Sequence, residues 1–198
     1  MIALLALCAA AGYLLGSFST GILVARKEGH DIRAEGSHNT GASNALRVLG
    51  LKGGALTFAG DFAKAALSVL LGLLIAGQYG GMAAGLGVIL GHNWPLFFGF
   101  KGGKGIACST AVLLILFPWQ GAVAVALCLA VIYWKRYISV GSLTMLSVFF
   151  VLLLLSRGVW PYGVWAFALA ALGFARHHSN LERLKNGTEN KISFHSKK

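Results

Sequence analysis

Three polar stretches interrupt an otherwise apolar chain, and each carries residue types suited to gripping an anion. The first runs Gly36-Ser37-His38-Asn39-Thr40-Gly41-Ala42-Ser43-Asn44, with Arg47 one turn further on. Small hydroxyl and amide donors among glycines, without an apolar period, predict a loop entering a short helix, with Ser43 or Asn44 as its N-cap. The bland alternative is a solvated connector. The second stretch is Gly91-His92-Asn93-Trp94-Pro95, then Gly99-Phe100-Lys101-Gly102-Gly103-Lys104-Gly105. Glycines flanking two lysines directly before a helix have the composition of a backbone nest, whose N–H groups hold phosphate oxygens while ammonium groups neutralise them. This is not a nucleotide P-loop, which needs Gly, four residues, Gly-Lys and then Ser or Thr; here Gly105 follows Lys104. The third stretch runs from Arg176-His177-His178-Ser179-Asn180 through Arg183 to Glu189. On a helix, positions 177, 180 and 184 share one face. Zinc is poorly served there, because adjacent histidines point to different sides and no cysteine accompanies them. No metal or cofactor site is expected.

Two smaller features accompany these. Asp61 and Lys64, three residues apart in an apolar segment, can pair on one helical face and are expected to face a bundle interior. Ser139 and Ser142 follow Lys135-Arg136 at a helix start; their hydroxyls can bond back to the helix or line the same anionic cavity.

The elements that must position these residues are membrane helices. Of 198 residues, 57% are hydrophobic and 12% charged, about half the charged share of a soluble domain. Runs without Lys, Arg, Asp or Glu cover 2–25, 65–100, 105–134, 137–156 and 158–175, and about 20 apolar residues suffice for one crossing. The run 65–100 is too long for one helix and is expected to break at Gln78-Tyr79-Gly80-Gly81; the run 105–134 is expected to break at Pro118-Trp119-Gln120. The expectation is an all-α polytopic helix bundle, a single membrane domain with seven transmembrane helices at about 2–25, 55–77, 81–98, 104–117, 121–137, 138–156 and 159–175. A basic tail, 176–198, follows.

Seven crossings place all of the 17 basic residues except Lys64 and Arg157 beyond one face of the membrane. Positive charge stays cytoplasmic, so the N-terminus should lie outside and the C-terminus, with the candidate site, in the cytoplasm. Residues 1–25 lack a basic leader before the apolar run and read as an uncleaved helix. Gly12 and Gly16, like Gly77, Gly81 and Gly85, are spaced four apart and are expected to let helices approach closely. Cys8, Cys108 and Cys128 lie in apolar runs and read as small buried hydrophobes. The formal charge of +11 fits a membrane face, lipid contact for residues 191–198 and an anionic ligand; no nucleic-acid partner is expected.

The three stretches together resemble the motifs of the bacterial acyl-phosphate:glycerol-3-phosphate acyltransferase family. They are Gly-Ser-His-Asn-Thr-Gly-Ala-Ser-Asn with Arg47, the segment 91–105, and Arg-His-His-Ser-Asn-Leu-Glu-Arg-Leu at 176–184. The motifs occur in order and the likeness covers about residues 10–190; Asp61-Phe62-Ala63-Lys64 and Lys135-Arg136-Tyr137 are similar as well. The first motif departs at His38, where the family has glycine, and a side chain there is expected to crowd the loop. His178 is a second departure and is given no role.

The resemblance implies a seven-helix enzyme of the bacterial cytoplasmic membrane. It would move a fatty acyl group from acyl phosphate to the 1-hydroxyl of glycerol 3-phosphate, releasing lysophosphatidic acid and inorganic phosphate, the first step of phospholipid synthesis. It implies two phosphorylated substrates and membrane lipids as partners, with no obligatory protein partner. Carried onto this chain, the catalytic set is Ser37, Asn39, Arg47, Lys104, His177 and Asn180. Lys104 and the Gly102 and Gly103 amides would take phosphate, the latter two that of glycerol 3-phosphate. Ser37, Asn39 and Arg47 would hold the acyl-phosphate end, and His177 and Asn180 would orient the acceptor. Lys101, Asn44, Ser139 and Ser142 complete the binding set. With no carboxylate–His pair evident in the sequence, proton removal falls to a substrate phosphate oxygen rather than to His177. Two rivals remain open at this level: an acyltransferase using acyl-CoA or acyl-carrier protein, and a transporter of phosphate or organophosphate. The acyl-CoA family carries His, four residues, then Asp, whereas His30 and His177 meet Glu35 and Glu182 at that spacing. A transporter would be expected to show repeated halves.

Overall fold

The computed structural model describes residues 1–192; residues 193–198, most of the segment expected to rest on lipid, lie outside the described residues. Among the described residues the chain is all-helical. The helices are α1 (Ile2–Gly16), α2 (Thr20–Lys27), α3 (Ala42–Asn93), α4 (Ile106–Leu116), α5 (Pro118–Lys135), α6 (Ile138–Arg157), α7 (Val164–Arg176) and α8 (His178–Lys185). A 3₁₀ turn at Leu96–Phe98 and a π turn at Val159–Gly163 complete them. Four stretches, Ile2–Lys27, Ala42–Phe98, Pro118–Lys135 and Ile138–Arg157, are long and apolar enough to cross a membrane, and α4 is a shorter apolar helix. The chain divides into two compact units, Met1–Leu116 and Phe117–Lys198.

In the first unit the expected breaks occur at shifted positions. The first helix does not run unbroken to 25: it stops at Gly16 and restarts at Thr20, and at the break the buried Ser17 turns its hydroxyl back to the Tyr13 carbonyl at 2.9 Å. The Ser17 oxygen then accepts the Leu96 N–H at 3.2 Å. Helix α3 contains non-helical residues at Gly50 and at Ala76–Gly77, so it is a short entry helix followed by two long arms. The second break precedes the expected 78–81, since Gly77, at φ 59, takes a left-handed conformation that glycine adopts at no steric cost. Gly77 therefore bends the chain, with no neighbour within 4 Å of a Cβ placed on it, rather than packing helices as its spacing suggested. The second arm ends at Asn93, not 98, because Pro95 has no N–H and cannot continue the ladder.

Close packing does occur at the other glycines. A Cβ on Gly12 or Gly16 would collide with the backbone of Ala84 or Val88, and one on Gly87 or Gly91 with that of Ala9 or Tyr13. Helix α1 and the second arm of α3 thus meet backbone to backbone, each supplying the glycines the other needs. Gly81 and Gly85 face Leu116 and Val112 of α4.

In the second unit, α5 and α6 are joined by Arg136, left-handed at φ 65. Gly141 lies against the Cys128 carbonyl and Ile132, and Gln120 donates to the Ser156 hydroxyl at 3.1 Å. Phe117, Phe149 and Trp165 pack edge-on or tilted, with centroids 5.8 to 6.3 Å apart. The helix boundaries expected at 104–117, 121–137, 138–156 and 159–175 lie close to those observed, except that Pro118 opens α5 as its first residue, where a missing N–H costs nothing.

Gly12→Leu should lower the thermal unfolding midpoint in detergent, with a destabilisation of about 1–3 kcal/mol from overpacking against the Ala84 carbonyl. Ala6→Leu, at an exposed position of the same helix, shows the effect of an enlarged side chain without that collision, and an equal loss there would refute the packing argument.

Candidate active site

The loop ahead of α3 is shaped by Asn44. Its side chain, 1% exposed, donates to the carbonyls of Ile32 and Glu35 at 3.0 Å each and accepts the Ser37 N–H at 2.8 Å. Both N–H bonds of the amide are thus spent on the loop, so Asn44 holds Ser37 in place, where the motif suggested a ligand contact. Nor do Ser43 or Asn44 cap the helix. The N-cap is Gly41, whose own N–H bonds to the Asn39 side-chain oxygen at 2.9 Å. Ser37 and Asn39 are half-buried and Arg47 is exposed, its guanidinium 3.5 Å from the Asn44 oxygen. His38 does not crowd the loop. It is exposed and turns its ring to the Arg33 carbonyl at 3.1 Å. The cost of losing a glycine falls on the backbone, because His38 sits at φ 57, where a Cβ strains against the following carbonyl.

The lysine–glycine loop lies between the 3₁₀ turn and α4. Gly105, at φ 77, accepts the Ser109 N–H at 2.7 Å and so starts the helix. The loop amides precede a helix N-terminus, as the composition predicts. One amide is differently used: the Gly103 N–H bonds to the His92 carbonyl at 3.1 Å. That bond is made within the chain, where the motif suggested phosphate as the amide's partner. Gly103 is needed for another reason, since a Cβ there would land on the His92 ring. Lys101 is exposed and Lys104 half-buried. Lys101 and Gly102 join Asp31, Arg33, Ala34 and His38 around an open cavity of about 540 Å³, so of the first motif only His38 reaches it, and Ser37, Asn39, Arg47 and Lys104 are not among its lining residues. That volume exceeds what a three-carbon phosphorylated molecule needs.

Asp61 and Lys64 pair as their spacing predicts, Nζ to Oδ1 at 2.8 Å. His92 joins them, its Nδ1 3.1 Å from Nζ and 3.4 Å from Oδ1. A carboxylate beside a histidine therefore exists in this fold, although not at His177.

In the second unit the third motif is organised by Glu189, a residue sequence reasoning passed over. Its carboxylate accepts from the Ser139 hydroxyl at 2.9 Å, the Asn180 amide at 2.6 Å and Arg183 Nε at 2.7 Å. The available signal was the acid itself, closing a run of donors at 176–189. Burial alone would raise its carboxyl above the ordinary 4.5, but hydrogen bonds from Asn180, Arg183 and Ser139 and the Arg183 charge outweigh this and hold it lower. His177 is buried and its Nδ1 donates to the Gly173 carbonyl at 2.7 Å, which puts the lone pair of a neutral ring on Nε2. Ser142 turns its hydroxyl back to the Ile138 carbonyl at 2.8 Å, the local alternative its position allowed.

Helices long and apolar enough to span a bilayer define a membrane protein, and the glycine-and-cation loops at their ends have the composition of an anion site. A sequence profile described as glycerol-3-phosphate acyltransferase matches residues 6–187, and the chain belongs to that family. It is 40% identical to the glycerol-3-phosphate acyltransferase of Alkaliphilus metalliredigens, over 91% of this chain and 92% of that protein. Against the enzyme of that name from Thermoanaerobacter pseudethanolicus, identity is 41% over 94% of both. The fold matches the crystal structure of PlsY, an integral membrane glycerol 3-phosphate acyltransferase, in its glycerol 3-phosphate form, with a TM-score of 0.90, 34% identity and 96% of each chain covered. The lysophosphatidic acid form matches with a TM-score of 0.87.

Two outcomes test this geometry. Because the Glu189 carboxyl is held low, its stabilising contribution is complete above pH 4.5 and is lost as the pH falls through its lowered value. The unfolding midpoint of the parent should therefore fall more over that interval than that of Glu189→Gln, and equal falls would remove Glu189 from the account. His38→Gly should keep turnover within about twofold, since it relieves about 1 kcal/mol of left-handed strain and loses one exposed hydrogen bond; a tenfold loss would mean that the ring itself contacts substrate.

Proposed function

We propose that this protein transfers a fatty acyl group from acyl phosphate to the 1-hydroxyl of glycerol 3-phosphate, giving lysophosphatidic acid and inorganic phosphate. Its setting would be a bacterial cytoplasmic membrane crossed seven times, with the N-terminus outside and the reaction on the cytoplasmic side. The observation that carries the reading is the Lys101–Gly105 loop, which precedes the N-terminus of α4 and lines an open cavity with Lys101 and Gly102. Family membership favours acyl transfer over transport.

The chemistry needs little from the protein beyond placement. Acyl phosphate is a mixed anhydride, so its carbonyl carbon is already activated. The acceptor hydroxyl oxygen forms a bond to that carbon, the bond from carbon to the phosphate oxygen breaks, and phosphate departs. Cations and N–H donors that hold the developing oxyanion and the leaving phosphate stabilise charge as it forms. Lys104 and the Gly102 amide suit the phosphate of glycerol 3-phosphate. Ser37, whose hydroxyl makes no hydrogen bond among the described residues, Asn39 and Arg47 suit the acyl-phosphate end, with Asn44 holding the loop. His177, Asn180 and Ser139 orient the acceptor, with Asn180 and Ser139 set by Glu189. The hydroxyl proton passes to a phosphate oxygen of the substrate.

Purified protein in lipid should release inorganic phosphate from an acyl phosphate only when glycerol 3-phosphate is added; equal turnover with acyl-CoA would displace the proposed donor. His177→Gln, which retains an amide at the Nε2 position, should keep measurable turnover. Its complete loss with both substrates still bound would make His177 the base.

A further inference from the structure

The Asp61–Lys64–His92 cluster lies outside the residues assigned to substrate. Asp61 is 1% exposed and His92 4%. Lys64 Nζ also donates to the Gly16 carbonyl at 3.0 Å and the Phe18 carbonyl at 2.6 Å, across the break between α1 and α2. One ammonium thus ties that break to the middle and the end of α3. The ligand atoms of Asp61, His92 and Cys108 lie within 4.8 Å of one another, near enough for a metal ion. Lys64 already supplies a cation there, which argues against that use.

The cluster instead points toward the loop. His92 Nδ1 lies 3.1 Å from Lys64 Nζ and 3.4 Å from Asp61 Oδ1, so the charge pair holds that edge of the ring and the Nε2 edge faces away from it. Nε2 occupies the place a Cβ on Gly103 would take, while the His92 carbonyl receives the Gly103 N–H. His92 therefore grips Gly103 from two directions, and Lys64 and Asp61 fix the ring that does so.

We propose that Asp61, Lys64 and His92 are positioning residues for the Gly102–Gly105 loop, holding it in the form that receives the phosphate of glycerol 3-phosphate. The proposal rests on the function proposed above. A displacement of about 1 Å at a substrate-holding group can cost on the order of a hundredfold, so the grip should be visible in binding kinetics.

The test compares His92→Asn, Lys104→Ala and the double variant, each purified in lipid and assayed well below its own unfolding midpoint. Asparagine keeps a polar atom near the Nδ1 position and removes the edge against Gly103. His92→Asn should raise the KM for glycerol 3-phosphate about tenfold or more, with a smaller change in kcat. Acting through the same loop, it should add little to Lys104→Ala in the double variant. If His92→Asn lowers only the unfolding midpoint, or if the two effects multiply, the proposal fails. An unchanged KM in Lys104→Ala would instead overturn the phosphate-loop reading itself. Should His92→Asn not be recovered folded, Asp61→Asn is read by the same criteria.

Discussion

A largely buried lysine ammonium must be compensated, and removing a partner from a fully buried charge typically costs about 3–5 kcal/mol. Lys64 is compensated by the Asp61 carboxylate and two backbone carbonyls. Those carbonyls are open only because α1 stops at Gly16 and the chain restarts as α2 at Thr20. An unbroken first helix would use the Gly16 and Phe18 carbonyls in its own ladder. The break, the charge pair and the His92 ring are thus one solution to one electrostatic requirement.

Loops that handle anions need donors in fixed places without a bulky core beneath them, and here single polar side chains do the fixing. In the first unit Asn44 spends both amide hydrogens on the Ile32 and Glu35 carbonyls and receives the Ser37 N–H. In the second, Glu189 gathers Ser139, Asn180 and Arg183 onto one carboxylate. Neither residue needs to meet a substrate to matter, because each determines where its neighbours' donors point. The glycines act on the same principle at the level of helices, where α1 can lie against the second arm of α3 only if no Cβ intervenes at Gly12, Gly16, Gly87 and Gly91.

The candidate site was legible as a set of motifs but not as a set of bonds. Composition identified the Lys101–Gly105 loop and its place before a helix, and the three-residue spacing of Asp61 and Lys64 identified their pairing. It could not show that the Gly103 amide is taken by His92, since that bond spans eleven positions and depends on where Pro95 turns the chain. Asn44 read as a ligand contact for the same reason: a side-chain amide near a glycine-rich loop suits either use, and only the position of the Ile32 and Glu35 carbonyls decides. Glu189 drew no notice because an acid in a basic tail looks solvated until its three donors are brought to it.

Apolar content and helix-length uncharged runs determined by themselves that this is a helical membrane protein, and the family came from the resemblance of its three ordered motifs to those of known acyltransferases. Those properties are local, set by how many consecutive residues avoid charge and by which short spacings recur. The ends of the helices, the use of Gly77 as a bend rather than a packing face, and the partnership of His92 with Lys64 were decided only by the tertiary structure. Each depends on which backbone groups from distant segments arrive within about 3 Å to be satisfied, and distance along the chain carries no record of that.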